Sequence, residues 1–182
     1  MQAKAALRER VLAARAERST AERDAAGAAI AATLGDLITR ARHVAAYAAV
    51  GTEPPTAPAL AACRTAQLPV LLPVLLPDGD LDWGDGQQTA PTSRGLLEPT
   101  GPRLGVHAIE GCDLVLVPAL AVDGDGNRLG RGGGSYDRAL RRATGLTVAV
   151  LYDGEQVDRV PAEQHDVRVA AVVTPSGLVR LR

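Results

Sequence analysis

The chain has 182 residues, 46% of them hydrophobic and 23% charged, with a formal net charge of −1. That is enough apolar material for one folded domain over residues 1–182, and it excludes a globally disordered chain. The near-neutral charge argues against a general binder of nucleic acid or anionic membranes, and no apolar run approaches the roughly 18 residues that span a bilayer.

The N-terminal segment is polar and amphipathic, without the apolar stretch of a signal peptide, so a cytoplasmic protein is expected. Residues 2–18 carry Leu7, Val11, Leu12 and Ala14 at helical spacing among charges. Lys4, within this helix, is the only lysine of the chain. Ser19-Thr20-Ala21-Glu22 reads as a capping box that opens a second helix running to about Ile38. Val44–Val50 is a short apolar run ending at Gly51, which predicts a buried parallel strand. A loop with Glu53 follows, and Pro54 or Pro55 should open a third helix reaching about Ala66.

Val70–Leu75 reads as a second strand, weakened by Pro73, and Asp80–Trp83 as a short third. Residues 84–110 are rich in Gly, Pro and Thr and read as loop. Asp113–Val122 predicts the central strand, Arg138–Ala143 a helix, and Leu146–Tyr152 and Val169–Thr174 two further strands. Strands alternating with helices predict an α/β fold, a mostly parallel open sheet with helices on both faces in a three-layer sandwich. In such sheets ligands bind beyond the carboxyl ends of the strands. The loop holding Glu53, the loop after Val122 and the loop leading to His165 and Asp166 should therefore share one rim.

The densest chemistry lies in Arg128-Leu129-Gly130-Arg131-Gly132-Gly133-Gly134-Ser135-Tyr136-Asp137-Arg138. Strand, glycine-rich turn and helix can offer backbone N–H groups to phosphate, with Arg128 and Arg131 adding charge. Asp137 could hold a divalent cation that bridges phosphates, or serve as an acid in the first turn of a helix. The spacing is neither that of a P-loop nor that of a dinucleotide turn, so a phosphate cradle and a flexible surface turn both remain open. Cys63 and Cys112 are isolated and read as small buried hydrophobes. His43, His107 and His165 do not form a zinc set, and no serine sits in a nucleophile elbow.

Five ordered motifs resemble the 5-formyltetrahydrofolate cyclo-ligase family: Lys4-Ala5-Ala6-Leu7-Arg8, Gly51 to Thr56, Leu97-Glu98-Pro99, Asp113 to Pro118 with the Arg128–Arg138 stretch, and Val160 to Asp166 followed by Val172-Val173-Thr174. The resemblance implies an ATP- and Mg²⁺-dependent ligase acting on small molecules, ATP and 5-formyltetrahydrofolate, as a monomeric or weakly associating enzyme. It assigns Lys4, Arg8, Arg128, Gly130, Arg131, Gly132, Gly133, Gly134 and Tyr136 to ATP. Asp137 and Asp166 take Mg²⁺, Glu53 takes the pterin ring, and Arg131 and Asp137 act in catalysis. Trp83 joins the substrate residues because a chain with no Phe has few aromatic walls to offer. Ser135 stands where many relatives have a tyrosine. The alternatives are a non-catalytic or repurposed member that binds nucleotide or folate, and a sugar-phosphate or CoA-type α/β enzyme with the same anion cradle.

Overall fold

A computed structural model describes residues 2–92, 97–163 and 166–181. Among these residues four α-helices run over Gln2–Ala16 (α1), Thr20–Arg40 (α2), Ala57–Thr65 (α3) and Ser135–Leu140 (α4). The strands are Val44–Ala45 (β1), Val70–Leu75 (β2), Leu81–Asp85 (β3), Thr89–Pro91 (β4), Leu97–Pro99 (β5), Leu114–Pro118 (β6), Ala121–Val122 (β7), Arg128–Leu129 (β8), Leu146–Val150 (β9), Ala171–Thr174 (β10) and Gly177–Arg180 (β11). Seven of them form one sheet in the order β11-β10-β9-β6-β1-β2-β3. Its five inner strands are parallel and both edges antiparallel.

The expected three layers follow from residue alternation in the inner strands. Leu114, Leu116, Val148, Val150 and Val173 face one side, where Ile30, Leu34 and Ile38 of α2 and Leu60 and Cys63 of α3 cover them. Val115, Val117, Ala149, Leu151 and Val172 face the other, beneath Ala139 and Leu140 of α4 and Ile109 of a 3₁₀ turn. Burial on both faces is why these strands read as unbroken apolar runs. Helix α1 packs on neither face. Its Val11 joins Leu120, Ala121, Leu129 and Val160 in a third cluster at the rim.

Several boundaries differ from expectation for local reasons. The capping box is present: the Ser19 hydroxyl accepts from Glu22 N–H, and Ser19 N–H donates to the Glu22 carboxylate at 2.7 Å. Strand β1 stops at Ala45 because Thr56 Oγ1 captures the next segment, donating to Tyr47 O at 2.6 Å and accepting from Ala49 N–H at 2.9 Å. Pro58, not Pro54 or Pro55, occupies the first turn of α3. Pro55 instead lies against α2, where a Cβ on Gly27 would come within 2.9 Å of its ring.

Pro73 is tolerated because it pairs with Trp83 at a position where the β2 nitrogen points away from β3, as the Leu76 N–H to Asp80 O bond three residues on requires. The expected central strand breaks after Pro118, and its last residues form the separate β7–β8 ribbon. Strands β4 and β5, within the expected loop, and edge strand β11 had not been anticipated. Gly145 lets the chain enter β9 close beside β6. A Cβ there would lie 2.1 Å from Cys112 O and 2.6 Å from the Asp113 carbonyl carbon, both backbone atoms with little room to yield. Gly145→Ala should therefore destabilise the protein by about 1–3 kcal/mol, read as a lower urea midpoint with an unchanged denaturant slope.

Candidate active site

The sheet order reverses between β1 and β6, the point at which an open parallel sheet leaves a crevice. A cavity of about 830 Å³ opens there. Tyr47 and Ala48 follow β1, Leu75 ends β2 and Pro118 ends β6, and all four line it. Apolar walls come from Pro73, Leu75, Leu81, Leu97, Pro118 and Leu120. Lys4, Arg8, Glu53, Arg128, the Gly130–Gly134 loop, Tyr136, Asp137 and Asp166 line the same space. Positions that span the whole sequence thus meet in one cavity.

The glycine-rich loop is entered from β8 of the ribbon rather than from the central strand, and it leads into α4. Gly132 (φ +105°) and Gly134 (φ +71°) adopt left-handed conformations that a side chain would strain. Arg128 is buried and donates from Nη2 to Asp137 Oδ1 at 2.7 Å; the same oxygen accepts Val167 N–H at 3.1 Å. Arg131 is about half-exposed and its Nε lies 3.1 Å from Glu53 Oε1. Glu53 also accepts Val50 N–H through Oε2 at 3.0 Å, and its backbone carbonyl accepts the Tyr152 hydroxyl at 3.2 Å.

The N-terminal helix reaches the cavity along one face. Lys4, Arg8, Val11 and Arg15 follow the i, i+4, i+7, i+11 spacing that stacks side chains on an α-helix. Lys4 Nζ contacts Asp166 Oδ2 at 2.9 Å and Glu163 Oε1 at 3.1 Å. Burial opposes the charge on Lys4, but the hydrogen bonds it donates to Asp166 and Glu163 raise its pKa above the usual lysine value. Arg8 Nε donates to Gly130 O at 2.9 Å. Arg15 is buried and donates to both oxygens of Glu155, at 2.6 and 2.7 Å, and to Ala119 O at 2.7 Å.

Trp83 is a correction. It is 0% exposed, packed in the cluster under α4, and does not line the cavity; Leu81, two residues earlier on the same strand face, does. The expected aromatic contribution comes instead from Tyr47 and Tyr136. Burial holds the Tyr136 phenol well above the ordinary tyrosine range, and the nearby Glu53 carboxylate adds to the effect. His165, expected at the rim beside Asp166, lies outside the described residues. Among the described residues no group of three or more His, Cys, Asp or Glu side chains could hold a metal ion, and no helix is long and apolar enough to cross a membrane.

Sequence reasoning missed Arg15 and Asp123. Arg15 carried a signal, since it continues the stripe of Lys4, Arg8 and Val11. Asp123 is buried in the turn between β7 and β8, where its carboxylate accepts from Asp125 N–H, Asn127 N–H, Asn127 Nδ2 and Val160 N–H. Burial works against its charge, but these donors hold its pKa below the ordinary carboxylate value. The turn fixes the ribbon that carries Arg128. Asp123→Ala should cost about 2–3 kcal/mol and speed hydrogen exchange at the Val160 amide. Because the folded-state pKa is lowered, the wild-type contribution should be complete above about pH 4 and fade only as pH falls through the lower folded value. The stability difference between wild type and variant, measured across pH, checks both statements.

Residues 1–175 match the model of the 5-formyltetrahydrofolate cyclo-ligase family. The 5-formyltetrahydrofolate cyclo-ligase of Mycolicibacterium smegmatis is 40% identical over 189 residues, covering 98% of this chain and 97% of that protein. The Escherichia coli enzyme of the same name is 31% identical over 147 residues, 76% of this chain and 81% of its own. The solved structure of Aquifex aeolicus 5,10-methenyltetrahydrofolate synthetase superposes with a TM-score of 0.84 at 29% identity, covering 98% of this chain and 93% of that one. With the match running almost end to end, the chain belongs to the 5-formyltetrahydrofolate cyclo-ligase family.

Proposed function

We propose that the chain converts 5-formyltetrahydrofolate to 5,10-methenyltetrahydrofolate, with ATP cleaved to ADP and phosphate in the presence of Mg²⁺. One observation carries this reading: a single cavity brings Lys4, Arg8, Arg128 and Arg131 beside a glycine-rich loop and also has apolar walls and Glu53. A polyphosphate and a flat heterocycle with apolar faces and a polar edge need those two surfaces side by side.

The formyl oxygen is a poor leaving group until it is phosphorylated. In the proposed reaction that oxygen attacks the γ-phosphorus and ADP departs, which gives an iminium phosphate. The folate N10 then adds to the formyl carbon, loses its proton, and phosphate leaves as the ring closes. No covalent enzyme nucleophile is required, and the residues assigned to the site have other work. The task of the protein is alignment and charge stabilisation. Arg131 would stabilise the transferring phosphoryl group with its planar, permanently charged fork. Lys4 and Arg8, brought in by α1, would hold the nucleotide phosphates. Tyr136 would stand between loop and substrate. The Glu53 carboxylate would accept from the amino group and ring N–H of the pterin.

Asp137 and Asp166 offer hard oxygen ligands on the cavity wall. Two carboxylates suit Mg²⁺ where phosphate oxygens and water complete the shell. When bound there, Mg²⁺ would neutralise charge on the β- and γ-phosphates. Asp137 Oδ1 is already engaged by Arg128, so its other oxygen is the one offered.

The direct test mixes the protein with 5-formyltetrahydrofolate and Mg²⁺-ATP and follows absorbance in the methenyl-folate band. A rise that requires both ATP and Mg²⁺ is expected. Nucleotide binding without such a rise would mean that the phosphate loop serves another substrate. Arg131→Ala should lower kcat by about 10²–10³ while leaving the melting temperature near wild type. Near-normal turnover in that variant would overturn the role given to Arg131.

A further inference from the structure

The Lys4 and Arg8 side chains, which α1 sends to the glycine-rich side of the cavity, lie far from Arg15, which also lines it and anchors the helix. Arg15 is eleven residues beyond Lys4 and seven beyond Arg8, so at 1.5 Å per residue the anchor sits about 16 Å and about 10 Å along the axis from them. It is also on the same face. Arg15 donates to both Glu155 oxygens and to Ala119 O, and both side chains of the pair are buried. Glu155 is itself fixed: its Oε2 accepts Tyr152 N–H at 2.9 Å. The Arg15 and Arg18 guanidinium groups lie 5.6 and 4.3 Å from the centre of the Tyr152 ring. Apart from this pair, the buried attachment of α1 is Val11 in the small rim cluster, with Leu7 partly buried against it; the polar contacts of Lys4 and Arg8 with Asp166, Glu163 and Gly130 O are part-buried or exposed. Apolar packing of that kind does not by itself select an axial register. A bidentate pair whose partners come from α1 and from the segment after β9 does.

We propose that Arg15 and Glu155 are positioning residues that set the register of α1, and through it deliver Lys4 and Arg8 to the nucleotide side of the cavity. The role given to Lys4 and Arg8 rests on the reaction proposed above; the register of α1 does not. Slippage by one residue would turn the helical face by about 100° and carry both cations off the cavity.

The test is a mutant cycle read by calorimetric binding of Mg²⁺-ATP, with tryptic cleavage within α1 as a second readout. Glu155→Gln should weaken binding about tenfold and speed cleavage after Arg8 and Arg10, while the KM for 5-formyltetrahydrofolate stays within about twofold of wild type. In a Lys4→Ala/Arg8→Ala background the same substitution should weaken binding no further. Unchanged affinity, or an equal loss in both backgrounds, overturns the proposal, because a merely structural defect acts regardless of Lys4 and Arg8. If Glu155→Gln does not fold, Arg15→Lys takes its place in the cycle and should give a smaller loss of the same pattern. Absence of Mg²⁺-ATP binding by wild type would defeat the proposed reaction instead, and the cleavage comparison would still decide whether the pair anchors α1.

Discussion

The parallel alignment of β1, β6 and β9 is the constraint on which the rest of the molecule depends. Parallel neighbours send their carboxyl ends to the same edge, so segments distant in sequence must emerge together. From β1 the chain continues to β2 on one side; β6, β9 and β10 are laid down on the other. The loops departing from that reversal diverge, and the space between them is the cavity. Everything assigned to chemistry is either on those loops or carried to them by α1, the β7–β8 ribbon and the first turn of α4.

That dependence explains where the interior is stiff. The strands flanking the reversal are buried on both faces, and Gly145 lets β9 start close against β6. The rim is organised differently. Its apolar cluster is small, and polar locks do much of the holding: Thr56 on the Tyr47–Ala49 segment, Asp123 in the ribbon turn, and the Arg15–Glu155 pair on α1. Breaking one member of a buried ion pair typically costs about 3–5 kcal/mol, because the remaining charge is stranded. Such locks specify position more than they add net stability.

How far the sequence could be read follows from the same division. The inner strands, the α2 cap and the layer order were legible, since hydrophobic periodicity and capping chemistry are local. Glu53, the Gly130–Gly134 loop, Asp137 and Asp166 were legible as candidates through their motifs, and the sheet supplied a reason for them to meet. Illegible was whatever depends on a partner distant in the chain. Nothing local to Val44–Val50 shows that Thr56 will take its hydrogen bonds after Ala45. Asp113–Val122 reads as one strand because the turn at Ala119 is held by Arg15, more than a hundred residues earlier. Trp83 looked like a pocket wall because aromatic residues are scarce here. Alternation along β3 put it in the core, and only the packing of α4 above it settles that.

The ion pairs within the cavity carry a consequence for how ligands arrive. Lys4, Arg8, Arg15, Arg128 and Arg131 on the wall are matched in number by Glu53, Glu98, Asp137, Glu163 and Asp166. Several of these charges already face each other across 2.7–3.1 Å. A crevice balanced in this way projects little field into solvent, in a molecule whose net charge is itself near zero. Diffusional encounter with a polyanion therefore gains little from long-range steering, and capture rates should respond only weakly to ionic strength. Recognition is deferred to contact, when incoming phosphates exchange places with resident carboxylates as partners of the same cations.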